Sequence, residues 1–147
     1  MGAWEVTNPD AALLRTRREM TGASLYDMAD LLDTRHQNYS RFEREAKGGG
    51  NTVIGPVPDY VWEQVDKLTE WIDRRVAEIL ATARATTGTI TLHRWRTVDN
   101  YRADCPDAAV VPYPVFHRAV GLALDELLAE GRDVTMFYLD PPPGAEV

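Results

Sequence analysis

Seven apolar residues, Val61, Val65, Leu68, Ile72, Val76, Ile79 and Ala83, recur at steps of three and four along the chain. Only an α-helix returns side chains to one face at those intervals. The stripe covers more than six helical turns. In a chain of 147 residues, such a helix separates an N-terminal part from a C-terminal part. It should start at Pro58 or Asp59 and run to about Thr82, before "TTGT" ends it. Trp62 and Trp71 lie beside the stripe and read as core or interface, as do Trp4 and Trp95. The helix either connects two parts of the molecule or packs against a second copy.

The segment before it reads as three short helices. Asn8-Pro9 is an N-cap with proline at the first helical position, and the helix it opens runs to about Met20, where Gly22 breaks it. Ser24 caps a second helix, "SLYDMADLLD", whose Leu25, Met28, Ala29 and Leu32 repeat as a buried stripe. A break at Asp33-Thr34 leads into a third helix over about 35–44, with Tyr39 and Phe42 on its inner side. "KGGGNTVIGPVP" is a glycine-rich loop. After the long helix, "TITLHRW" and "DVTMFYL" read as short strands. Between them lie a short helix ended by Pro106 and a longer one over about 114–130. The longer helix turns Phe116, Val120, Leu124, Leu127 and Leu128 inward and stops at Gly131.

Two short helices across a tight break, the second carrying polar residues, is a helix-turn-helix plan. An α-helix fits the DNA major groove, where arginine can bond guanine twice and glutamine can do the same for adenine. Arg35, His36, Gln37 and Arg41 are the candidates to read base edges. Arg15, Ser24, Asn38, Arg44 and Lys47, with the backbone of Gly48 to Gly50, are candidates to hold phosphate. The net charge of −7 opposes this only on average. Residues 97–147 hold three basic and nine acidic residues, whereas 35–47 hold Arg35, Arg41, Arg44 and Lys47 against Glu43 and Glu45.

Residues 12–47 resemble the Cro/C1-type (Xre-like) helix-turn-helix family. The resemblance is carried by "LRTRREMTGASLYDMADLLD" and "TRHQNYSRFE", with Gly22 after the first helix, Ser24 capping the second, and the apolar-alanine pair Met28-Ala29 within it. It implies that His36, Gln37 and Arg41 occupy base-reading positions with Arg35 at the edge, and that Arg18 and Glu43 form a structural ion pair. The chain departs from the family at Leu25, where a glutamine usually touches phosphate, and at Asp33, where a glycine usually turns the chain. Aspartate tolerates left-handed backbone there. The strings "VPDYVWEQVDKL", "LHRWRTVDNYRADCPDAAVV" and "FHRAVGLALDELLAEGRD" resemble the C-terminal region of anti-CRISPR-associated autorepressors and their uncharacterised bacterial relatives. In those proteins that region makes a dimer, which implies an interface here around Trp95, Phe116, Val120, Leu124 and Phe137.

The expected fold is therefore mainly α. A helix-turn-helix DNA-binding domain covers 1–57, a connecting helix 58–84, a small α+β dimerisation region with two short strands 85–140, and a flexible tail 141–147. The expected function is a dimeric repressor of its own operon on double-stranded DNA with an inverted repeat. Two alternatives remain. One is an antitoxin-type module whose acidic C-terminal region covers a protein partner; the other is an RNA-binding regulator. No apolar run approaches a membrane span and the N-terminus lacks the marks of a secretory signal. A single cysteine, Cys105, allows no internal disulfide and points to the cytoplasm. His93 and His117 lack metal-ligand spacing. No nucleophile motif, phosphate-binding loop or dinucleotide fingerprint appears, so neither a cofactor, a metal nor catalysis is expected.

Overall fold

The computed structural model describes residues 9–44 and 56–139. The protein is mainly helical with one two-stranded sheet toward its C-terminus. It divides into two units, Met1–Thr69 and Glu70–Val147. That boundary falls inside the long helix rather than at either end of it. No helix among the described residues is long and apolar enough to cross a membrane.

In the first unit, α1 (Pro9–Thr21) starts on proline, whose fixed φ suits a first helical turn. Gly22, at φ 86°, turns the chain out of it. The α2 helix (Leu25–Leu31) opens on a capping box: the Asp27 amide donates to Ser24 Oγ at 3.0 Å and the Ser24 amide donates to Asp27 Oδ2 at 2.9 Å. It closes on a left-handed residue, Asp33 at φ 52°. The Thr34 amide reaches back to the Ala29 carbonyl at 2.9 Å and the Asp33 amide to that of Asp30 at 3.1 Å. These two bonds are a Schellman stop, usually built on glycine.

The third helix differs from expectation. Instead of one α-helix over 35–44, α3 spans five residues, His36–Ser40, and Arg41–Glu43 tightens into a 3-10 turn. Its N-cap, Arg35, offers no capping side chain, and short helices commonly tighten at their ends. Tyr39 is fully buried and meets Phe42 edge-on with ring centroids 6.2 Å apart. Leu14, Met28, Val61, Val65 and Leu68 are buried with it, the last three from the first half of α4 (Asp59–Arg84). Arg17 pairs with Asp66 at 2.8 Å across to α4.

In the second unit, β1 (Ile90–Trp95) and β2 (Val134–Leu139) run parallel, with Ile90 opposite Val134 and Trp95 opposite Leu139. Parallel strands need a long crossover. Here it is α5 (Val98–Asp104), a 3-10 turn (Pro106–Ala109) and α6 (Tyr113–Ala129). Leu80 and Ala83 of α4, Ile90 and Leu92 of β1, and Ala123 and Leu127 of α6 form one apolar cluster, with Leu124 packed against it. Leu128, expected inward, is 53% exposed. One residue after Leu127 on a helix lies about 100° away from the buried face. Gly131, at φ 77°, ends α6 with the same two-bond stop as α2: Arg132 N to Leu127 O at 3.1 Å and Gly131 N to Leu128 O at 3.0 Å.

An aromatic cluster fills the other end of this unit. Phe116 meets Trp71 at 5.6 Å and Tyr101 at 5.3 Å between centroids, and the Tyr101 hydroxyl donates to the Val111 carbonyl at 2.5 Å. His117 lies edge-on to Tyr113 at 4.4 Å, and both its ring nitrogens are buried with no hydrogen-bond partner. Burial, reinforced by the Arg94 charge, pulls its pKa down from 6.5 to about 4. Between those two values the unfolded chain takes up a proton that the folded unit refuses, so stability falls as pH drops through that window. Carboxylates titrate there too, so the parent and His117→Gln are compared by urea denaturation at about pH 7 and about pH 5. The parent should lose more stability than the variant. Equal losses would remove His117 from the acid sensitivity.

Candidate nucleic-acid interface

The α2–turn–α3 segment is held from behind by one side chain. Arg18, near the end of α1, grips Glu43 with two bonds, Nε to Oε2 at 2.8 Å and Nη2 to Oε1 at 3.0 Å. Its remaining Nη1 donates to the Ala23 carbonyl at 2.9 Å. The side chains are 11% and 5% exposed. Burial opposes the Arg18 charge, but the bond and attraction to Glu43 outweigh it and raise its pKa. Beside the pair, burial and the Glu43 carboxylate push the Tyr39 phenol well above its ordinary value, so it stays neutral. Arg18 thus ties the α1–α2 turn to the end of the α3 segment. The ion pair implied by the family resemblance is present as a partly buried, two-bond contact.

With Tyr39 turned inward, the opposite side of α3 is open. Arg35, Gln37, Asn38, Arg41 and Arg44 are exposed. Gln37 and Asn38 are neighbours on α3, while Arg41 stands on the 3-10 turn and Arg35 on the residue before the helix. His36 is the exception among the expected base readers. It is half-buried, and its ring lies 4.5 Å from that of Tyr26 at 38°. The other expected contacts are already engaged in part. Arg15 pairs with Glu19 at 2.7 Å on α1. Ser24 serves the capping box. Asn38 Nδ2 donates to Thr34 Oγ1 at 3.4 Å, and Arg44 Nη2 donates to Ser40 Oγ at 3.4 Å. Lys47 and Gly48 to Gly50 lie outside the described residues. Apart from the neutralised Glu43, residues 30–44 carry Arg35, Arg41 and Arg44 against Asp30 and Asp33.

Sequence reasoning missed Tyr26. It is 62% exposed, one residue past Leu25 and therefore off the buried stripe of α2. A large aromatic off the stripe of a short amphipathic helix was the available signal.

The expected dimer residues separate. Phe116 and Val120 are only 7% and 6% exposed, and they line a half-open pocket of ≈ 690 Å³ in the second unit. Leu124 packs on the apolar cluster and Trp95 sits edge-on to Tyr101 at 6.3 Å. Phe116 and Val120 are thus buried within the chain itself, and Leu124 and Trp95 are half-buried. Phe137 is 55% exposed, flanked on β2 by Met136 at 37% and Tyr138 at 50%. Among the described residues, no group of three or more His, Cys, Asp or Glu is placed to hold a metal ion.

Compared with protein-family models and with curated proteins, the chain returns no match.

Removing Glu43 strands a guanidinium that is 11% exposed. Glu43→Ala should therefore destabilise the first unit by about 3 kcal/mol, and a paired Arg18→Met/Glu43→Leu change by much less than the sum of its singles. Urea denaturation read by circular dichroism measures both. A single-variant loss below about 1 kcal/mol would mean that the pair behaves as a surface bridge.

Proposed function

We propose that this protein is a sequence-specific regulator that binds double-stranded DNA through α3, acts by occupying its operator, and is not an enzyme. The observation that carries the reading is the two-sided character of α3. Tyr39 and the Arg18–Glu43 bond fasten one side, while Arg35, Gln37, Asn38 and Arg41 leave donors and acceptors open on the other. A helix so held can enter a major groove without losing its anchorage. Gln37 and Arg41 suit adenine and guanine edges, and Arg44 suits phosphate.

One helix-turn-helix covers only a half-site, so this reading calls for a homodimer on an inverted repeat. The support for a dimer surface shifts to β2. Its six residues, "VTMFYL", carry no charge, and Met136, Phe137 and Tyr138 are exposed in succession. An uncharged apolar strand at a sheet edge is an association hazard unless something covers it. A second copy is self-complementary to it. Repression of its own operon is the simplest use of such a dimer, and a cytoplasmic location accords with it.

The test uses labelled duplex from upstream of the protein's own gene, with random duplex as competitor. Preferred binding should weaken with salt on a log-log slope of about −0.9 per neutralised phosphate. Gln37→Ala or Arg41→Ala should lower affinity for the preferred duplex by about 1–3 kcal/mol and relax selection at one base pair. Phe137→Asp should give monomers by light scattering and weaken binding to the full inverted repeat. If Gln37→Ala and Arg41→Ala bound every duplex as the parent does, α3 would not be the reading element.

A further inference from the structure

Tyr26 lies outside the buried core of the first unit. It is 62% exposed, lies off the α2 stripe, and is the second residue of a seven-residue helix. Yet its ring is 4.5 Å from that of His36, tilted by 38°, close to the short end of ordinary aromatic separations. His36 is the first residue of α3. The two rings come together because the Asp33 stop folds the chain sharply between the helices, with its 2.9 Å and 3.1 Å bonds fixing the turn. Arg35, the N-cap of α3, supplies no side-chain bond to steady the start of that helix.

We infer that Tyr26 is a positioning residue for base reading: its ring holds the His36 imidazole in one orientation at the leading end of α3. The inference rests on the DNA-binding reading above and adds to it a residue outside the recognition helix. An imidazole at the start of a short helix can adopt several rotamers, and binding DNA would have to select one. Packing against Tyr26 makes that selection in the free protein, so less conformational freedom is lost on binding. The half-burial of His36 beside Gln37 and Asn38, both exposed, marks it as the member of the reading set whose direction is set in advance. The Tyr26 hydroxyl is not needed for this; the ring is.

The experiment measures base preference at every position of the preferred duplex for the parent, Tyr26→Phe, Tyr26→Ala, His36→Ala and the double variant Tyr26→Ala/His36→Ala. Tyr26→Phe keeps the ring and should retain the parent's profile. Tyr26→Ala should lose preference, on the order of fivefold, at the base pair that His36→Ala also flattens. The double variant should then be no worse there than His36→Ala alone. A uniform loss across all duplexes in Tyr26→Ala, or losses that multiply in the double variant, would overturn the inference, because either would make Tyr26 an independent contact. Proton NMR of the His36 ring supplies a readout that needs no DNA: its resonances should be displaced by the neighbouring ring in the parent and Tyr26→Phe, and move toward free values in Tyr26→Ala. No displacement overturns the stacking itself. A parent without any base preference overturns the DNA-binding reading, and this inference with it. A selective parent whose Tyr26→Ala variant is equally selective overturns this inference alone.

Discussion

The first unit depends on the bond between Arg18 and Glu43. The α3 helix has five residues, far below the length at which a helix holds itself in water. Its geometry must come from what it is fastened to. Tyr39 supplies apolar burial at one point, and Arg18 supplies two directed bonds at the far end while also holding the Ala23 carbonyl. A bidentate guanidinium fixes orientation as well as distance. This is why the segment can tolerate a 3-10 turn at Arg41–Glu43. The turn brings Glu43 to Arg18, and Arg41 is carried with it on the open side. The position of one exposed arginine is thus set by the constraint on a buried carboxylate two residues later.

The second unit solves a different problem. Two parallel strands of six residues each make a small sheet by any standard, and parallel sheets are normally covered on both faces. Here Ile90 and Leu92 of β1 are buried against α4 and α6, while on β2 no residue is fully buried. The crossover through α5 and α6 packs the first strand well and leaves the second at the margin. Arg96 lies over the Tyr138 ring at 4.3 Å, a partial cover for one of the exposed aromatics.

Much of this was legible in the sequence because local rules act alone where the chain turns. Gly22, Asp33 and Gly131 all take positive φ, and each was readable as a stop from its residue type and its place after a helical stripe. The long helix and the two strands are consequences of periodicity. The pairing of Arg18 with Glu43 came only through family resemblance, since charges 25 residues apart carry no local signal. What periodicity could not supply was the identity of the covering surface. Phe116, Val120 and Leu124 repeat on one face of α6, but the same repeat serves a partner or the chain's own core, and they lie against the core. The parallel pairing of β1 and β2 was likewise hidden, because register is decided by the crossover rather than by either strand. The shortening of α3 was hidden for the same reason: the tether on Glu43 sits in another helix.

Charge bears on the proposed reading, because the protein's net charge is −7. Most of the net negative charge lies after residue 97, where nine acidic residues face three basic ones, and in the α2–α3 segment Glu43 is cancelled by Arg18. Arg35, Arg41 and Arg44 then face Asp30 and Asp33, a small positive balance. In the proposed reading, such a face has little sequence-independent attraction for phosphate, since that term grows with the number of cations engaged. Discrimination then falls on a few directed contacts. Their geometry matters more than it would on a strongly basic surface, where backbone contacts supply most of the affinity. A fastened α3 and a braced His36 are the features such a weakly charged reader would need.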